Sequence, residues 1–283
     1  MYVIPKYKEA VMFLSLKGGC GKSTISCSYA YWLAEKYHKK VAILDMDVTS
    51  PSVAKILGLQ GKDVEVKTGL LIPVRYSENL KVMSVDFFLR KYDQPILFKE
   101  KTKLSVIEQV LYSTDFGKVD YFVLDCPPST SGELIKILEL FDKKKLKIVF
   151  VTQPSPISTN GVIKSIRYLK ERGYRISGIV SNMDGFICSH CGKISELFID
   201  SKNQTESIAK RYKIPLLGKV PMGIMKVGKN GEYIIDHPIF DEIALKITKL
   251  KPVKFKEKDI RKSILTKLIL ASKMKKAFKE AGV

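Results

Sequence analysis

A chain of 283 residues with 45% hydrophobic side chains can bury one large α/β core, or at most two small domains. Its 49 basic and 29 acidic residues give a formal charge of +20, which suits nucleic acid or anionic lipid, and equally plain solubility or the lysine-rich surface of a heat-adapted protein. No run of 18 apolar residues argues for a membrane span, the opening MYVIPKYKEA lacks the apolar core of a signal peptide, and five cysteines make no disulfide framework; a reduced, cytoplasmic setting is expected.

In chain order, apolar runs at 10–16, 41–47, 80–87, 120–126, 146–152, 175–182 and 216–220 read as strands. They are apolar on both faces, as strands covered from both sides are. Helical patterns fill the intervals at 23–38, 103–113, 131–142, 157–171 and 203–212. The alternation predicts an α/β fold, a doubly wound, mostly parallel sheet flanked by helices, with ligands outside the carboxyl ends of the strands. Residues 1–250 read as one domain. Residues 251–283 carry 11 basic and 3 acidic side chains and read as a basic tail. Within it, 257–280 predicts a helix with Ile260, Ile264, Leu268, Ala271, Met274 and Phe278 on one stripe. Such a helix packs on the core or a partner chain, or lies on a membrane surface.

The stretch FLSLKGGCGKST, residues 13–24, joins the first strand to the first helix, the setting of a phosphate-binding loop. Gly18, Gly19 and Gly21 let backbone N–H groups around Cys20 face phosphate oxygens. Lys22 would reach the β- and γ-phosphates, the Ser23 hydroxyl Mg²⁺, and Thr24 the α-phosphate of ATP. One position breaks the usual G-x-x-x-x-G-K-[ST] spacing. Leu16 stands where the first glycine belongs, and a second lysine, Lys17, follows it. Magnesium and water need carboxylates beyond the loop. Asp125 closes the apolar YFVLD, and Asp45 and Asp47 close VAILDMD. An acid at a strand end can face phosphates without being buried in the core. The loop after Asp125, CPPSTSGE, could shift when the γ-phosphate leaves.

The KGGxGKS pattern with its early lysine resembles the deviant Walker A ATPases: MinD, ParA and nitrogenase iron protein. The resemblance implies a P-loop NTPase fold of the SIMIBI class and slow ATP hydrolysis acting as a switch. It implies a homodimer in which Lys17 crosses to the partner's nucleotide while Lys22 serves its own. It also implies that Asp47 positions the attacking water, that Asp125 with Ser23 and Asp47 makes up the Mg²⁺ set, and that Asn182 in IVSNM reads adenine.

A second stretch, NMDGFICSHCGKISELF at 182–198, places Cys188 and Cys191 in a loop after a strand. Two thiolates are half of what a tetrahedral zinc or a [4Fe–4S] cluster usually needs, and no second C-x-x-C exists. A symmetric dimer would supply the other pair. The stretch resembles the cluster loop of the Mrp/ApbC iron–sulfur carrier ATPases. DMDVTSPSVAKILGL, DCPPSTSGE and PLLGKVPM resemble further segments of that branch, over roughly residues 10–250. Three positions depart from the pattern: Ser189 replaces a proline, Ser50 a glycine and Cys20 a valine. This resemblance implies a [4Fe–4S] cluster held between two chains and passed to recipient apo iron–sulfur proteins. Shared structural zinc, a thiol–disulfide pair, and ligation by His190 remain alternatives. So does a MinD/ParA-like positioning ATPase that binds DNA or membrane through its basic surface, although such a switch needs no C-x-x-C. A nitrogenase-like reductase fits less well, because Cys126 directly follows Asp125, where its cluster ligand does not stand.

Overall fold

The chain's apolar runs line up as neighbours in one sheet. The computed structural model describes residues 6–88, 100–128, 132–196, 204–228 and 231–251. The first half contains β1 (Glu9–Leu14), α1 (Lys22–Tyr31), β2 (Val41–Asp45), α2 (Val53–Ile56), β3 (Glu65–Lys67), β4 (Leu70–Ile72), β5 (Val74–Arg75), β6 (Leu80–Met83) and α3 (Glu100–Tyr112). The middle contains β7 (Tyr121–Asp125), α4 (Gly132–Glu139), β8 (Leu146–Thr152), α5 (Pro156–Glu171) and β9 (Gly178–Ile187). Then follow β10 (Ile194–Ser195), α6 (Gln204–Tyr212), β11 (Leu216–Met222), β12 (Lys226–Val227), β13 (Tyr233–Ile234) and α7 (Pro238–Lys249). Residues 252–283, where the tail helix is predicted, lie outside the described residues.

Among the described residues, nine strands form the main sheet in the order β10-β9-β8-β1-β7-β2-β6-β5, with β11 also paired to β9. The strands from β9 to β6 run parallel, as does β11 beside β9. Only the short outer pairs β5–β6 and β9–β10 are antiparallel. Parallel strands must be joined by crossovers: α1 carries the chain from β1 to β2, α4 from β7 to β8 and α5 from β8 to β9. All the parallel strands therefore end at one edge of the sheet. There the register sets Asp45 of β2 directly beside Asp125 of β7.

Alternate residues explain why these strands are apolar throughout. Val11, Phe13, Val41, Ile43, Val123, Val149 and Val151 face a core layer shared with Ile25, Tyr29, Leu33, Phe240, Ile243 and Ile247 of α1, its continuation and α7. Ala10, Met12, Leu14, Ala42, Leu44, Phe122, Leu124, Ile148 and Phe150 face the other layer, with Ile107, Leu111, Leu134, Ile137 and Leu169 of α3, α4 and α5. Both sheet faces are dry, as a doubly wound sheet requires.

The structure also departs from the sequence reading in places. The predicted strand 80–87 ends at Met83 and passes into a short helical turn at Val85–Phe88. The strand predicted at 175–182 starts later and runs on to Ile187. The hairpins β3–β4 and β12–β13 were not anticipated. Nor was α7, whose start is capped by the His237 imidazole, which accepts the Ile239 N–H at 3.2 Å before Pro238 at the first turn. Among the described residues no helix is long and apolar enough to cross a membrane.

Candidate nucleotide site and cysteine knuckle

β1 stops at Leu14, and the chain curls through Ser15–Gly21 before α1 begins. Gly19 and Gly21 take left-handed backbone conformations, φ +79° and +78°. At Gly21 a Cβ would also sit 2.1 Å from the Asn182 Nδ2 atom, so the position excludes every other residue twice over. Asn182 is buried on β9, and its Nδ2 donates to the Cys20 carbonyl at 2.8 Å. The Gln153 Nε2 atom donates to the Gly19 carbonyl at 3.3 Å. Cys20 is buried, with its Sγ 3.8 Å from the Val151 carbonyl oxygen. The loop's outer curve is thus fastened from behind, and Lys17, Gly18 and Gly19 are left exposed.

Behind the loop is a network around Asp125, which is fully buried. Lys22 Nζ lies 2.7 Å from its Oδ1, Ser26 Oγ donates to the same oxygen at 2.9 Å, and Ser23 Oγ donates to Oδ2 at 2.6 Å. Lys22 Nζ also donates to Ser23 Oγ at 3.1 Å. Burial pulls the Lys22 ammonium down, but the charge and hydrogen bond of Asp125 outweigh it and hold the pKa above its usual value. Asp45 is buried next to this pair. Burial, then the charge of Asp125, push its carboxyl up to about 7 against the pull of the Val53 N–H and Lys22. Asp47 is half-buried and accepts the Ser50 N–H at 3.2 Å; burial raises its pKa more than that bond lowers it.

In front of this network, Lys22, Ser23 and Asp47 help line a cavity of about 600 Å³, the size of a small-ligand site. Its walls are Ser15, the loop from Lys17 to Thr24, Asp47, Thr49, Ser50, Ser52, Lys103, Pro127 and Pro128. The loop and Asp47 are where the sequence placed them. Asp125 and Asn182 stand behind the loop. Lys103 on α3 was not foreseen, because nothing in its helical pattern says which end of α3 meets the loop. Ser26 was also missed, although its S-x-x-S spacing from Ser23 puts both hydroxyls on one face of α1. A second cavity of about 180 Å³ shares Gly21 and Thr24 with the first and is lined by Asn182, Met183, Met222, Ile224 and Met225. It is more apolar than the first and offers the edge of a buried amide, suitable for a flat heterocycle beside the phosphates.

The cysteine pair occupies the tip of the β9–β10 hairpin. Cys188 N–H donates to the Lys193 carbonyl at 3.0 Å, and the Gly192 N–H, at φ +68°, donates to the Cys188 carbonyl at 2.8 Å. The backbone N–H groups of Cys191 and His190, and then the Cys191 side chain, hold the Cys188 thiol below its usual pKa. N–H groups aimed at sulfur favour the thiolate that a soft metal takes as ligand. Cys188 is half-buried and Cys191 exposed. Among the described residues, no group of three or more His, Cys, Asp or Glu side chains could hold a metal.

The family described as ParA: NUBPL iron-transfer P-loop NTPase matches residues 6–249. The chain belongs to the NUBPL iron-transfer P-loop NTPase family. Its fold matches a nucleotide-binding protein from Archaeoglobus fulgidus in complex with ADP, in which cobalt was found. That match has 26% identity and TM-score 0.65, and covers 88% of this chain and 93% of that one. The cell division ATPase MinD of Pyrococcus furiosus shares the fold at 18% identity and TM-score 0.56, covering 86% and 99%. A ParA family ATPase from Chlorobium tepidum shares it at 17% and 0.58, covering 86% and 100%. The sheet order, the loop and the buried Lys22–Asp125 pair are those of a P-loop NTPase, and this NUBPL-family chain is a nucleotide-binding ATPase.

Proposed function

We propose that this ATPase is an iron–sulfur carrier, working in the cytoplasm as a homodimer that holds one [4Fe–4S] cluster between Cys188 and Cys191 of each chain. The cluster is its cargo, passed on to recipient apo iron–sulfur proteins. One observation carries the reading. The two thiols stand together in one loop, with N–H groups turned onto the Cys188 sulfur, and that loop directly follows the strand that supplies Asn182 to the nucleotide loop. Two copies supply four thiolates, the number a tetrahedral metal or cluster usually takes.

In the ATPase cycle, the loop amides and Lys22 bind the β- and γ-phosphates, Thr24 the α-phosphate, and Asn182 the edge of adenine. Ser23, Asp47 and Asp125 would hold Mg²⁺; the fit is an oxygen-donor set gathered at one strand edge. Bound there, the ion neutralises charge on the γ-phosphate. With nucleotide bound, Lys22 would leave Asp125 for phosphate, and Ser23 would be among the residues that hold the ion. Asp47 orients the water that attacks, and Lys17, exposed at the cavity mouth, reaches the partner's nucleotide. Cys188 directly follows β9, six residues after Asn182, a reach of at most about 20 Å at the rise of an extended chain. Movement of the loop against Asn182 can therefore reach the cluster half-site.

Anaerobic reconstitution with iron and sulfide tests the reading. The expected outcome is about four irons per dimer by the two-plus-two ligand count, lost in Cys188→Ser. Stoichiometric zinc after ordinary purification, with no iron uptake, would favour a shared structural zinc instead. The charge of +20 supports a second reading, a positioning ATPase on DNA or anionic membrane. It predicts that Cys188→Ser leaves salt-dependent DNA or vesicle binding and its ATP dependence intact.

A further inference from the structure

We propose that Asp45 is the positioning residue for Asp47: it closes the 46–52 loop onto the nucleotide cavity by accepting hydrogen bonds from both ends of that loop. The proposal rests on the reading of Asp47 as the residue that orients water. Asp45 ends β2 and is buried, and it is not part of the cavity wall. Its Oδ1 accepts the Asp47 N–H at 3.1 Å. Its Oδ2 accepts the Ser52 N–H at 2.9 Å and the Val53 N–H at 3.1 Å. Ser84 Oγ, at the end of the neighbouring β6, donates to the same oxygen at 3.2 Å. One carboxylate thus ties residue 47 to residues 52 and 53. The residues so held, Asp47, Thr49, Ser50 and Ser52, form one wall of the cavity. A carboxylate buried this deeply is tolerated only if its oxygens are satisfied, and four donors inside the chain satisfy them. With its acceptors committed to the chain, Asp45 acts through Asp47.

The chemistry calls for an acid at this position. An asparagine has one acceptor oxygen, and turned toward Ser52 and Val53 it would set its NH₂ against the Asp47 N–H, donor to donor. Asp45→Asn thus releases the Asp47 end of the loop and keeps the other. The test measures equilibrium ATP binding and single-turnover hydrolysis in full-length Asp45→Asn, Asp47→Ala and the double variant. For Asp45→Asn, hydrolysis should fall about tenfold or more while ATP affinity changes less than about threefold. In the Asp47→Ala background the same substitution should cost nothing further, because coupled residues are not additive. If Asp47→Ala hydrolyses ATP like the wild type, the reading of Asp47 is wrong and the proposal goes with it. If Asp47→Ala is defective, the reading stands, and three results would overturn Asp45 alone: unchanged hydrolysis in Asp45→Asn, parallel loss of ATP binding, or a fully additive double variant. Should Asp45→Asn not fold, Ser84→Ala decides. It removes one donor and no charge, and is expected to slow hydrolysis severalfold with ATP affinity kept; an unchanged rate would sink the proposal.

Discussion

Lys17 and Lys22 stand five residues apart and are held in opposite ways. Lys22 is 6% exposed, and a cation buried that far needs the carboxylate it has in Asp125. Lys17 lies exposed at the cavity mouth, where an extended ammonium can reach beyond its own chain. If it serves the partner's phosphate, Lys17→Ala should lower the hydrolysis rate by about a hundredfold or more, as loss of an arginine finger does. ATP affinity should hardly move. Phosphate release and equilibrium binding measured on the same preparation check this, and equal loss of both would return Lys17 to its own nucleotide. At this scale the positions of the loop and of Asp125 were legible in local spacing, and Asp47 was told from Asp45 only by resemblance. The link between Asn182 and Cys20, 162 residues apart in the chain, was not legible, because the sheet order β1-β8-β9 brings them together.

At the scale of elements, α7 shows what periodicity holds and what it does not announce. Phe240, Ile243, Ala244 and Ile247 recur at helical spacing and are buried, so the signal was present in HPIFDEIALKITKL. The last turn of α7 is fastened to the sheet by Lys147, a lysine with no exposure on β8. Its Nζ lies 2.6 Å from Glu9 and donates to the Thr248 carbonyl at 2.8 Å. Nothing in LKIVFVT marks its lysine as interior, yet at this site it joins three elements. Lys147→Ala leaves a carbonyl and a partly buried carboxylate without their cation and should cost about 2–3 kcal/mol. Urea denaturation of the folded protein would measure it; a change within error would mean that water replaces the lysine. Strand β8 matches its predicted span because it is buried from end to end, mostly apolar, and bounded by polar residues. Strand β9 overruns its prediction because pairing with β10 and β11, which no local pattern shows, extends it to the cysteine loop.

On the scale of the whole molecule, the chain presents apolar side chains near its cysteine pair. Phe186, Ile194 and Met222, on adjacent strands, are 40%, 58% and 43% exposed. Exposed apolar groups clustered at one place favour burial against a partner. In the proposed dimer they would surround the shared cluster. Sedimentation with Mg²⁺ and a non-hydrolysable ATP analogue should show a doubled mass, and Ile194→Glu should shift the equilibrium toward monomer and lower iron uptake together. A monomer under all conditions, still taking up a full cluster, would overturn the shared site.

The order of residues was enough to determine that both faces of the strands are covered, that a phosphate loop joins the first strand to the first helix, and that a thiol pair follows a late strand. These follow from periods of two and of about 3.6 residues and from short-range spacing, which act within a few residues. Spacing leaves Asp45 and Asp47 alike, two positions apart in a strand-end motif, and the tertiary structure makes Asp45 the inner carboxylate and turns Asp47 to the cavity. It also decided that Asn182 braces the loop it stands behind and that Lys147 is an interior residue. Each of these depends on which strands become neighbours, and neighbourhood in a parallel sheet is set by crossovers of many residues.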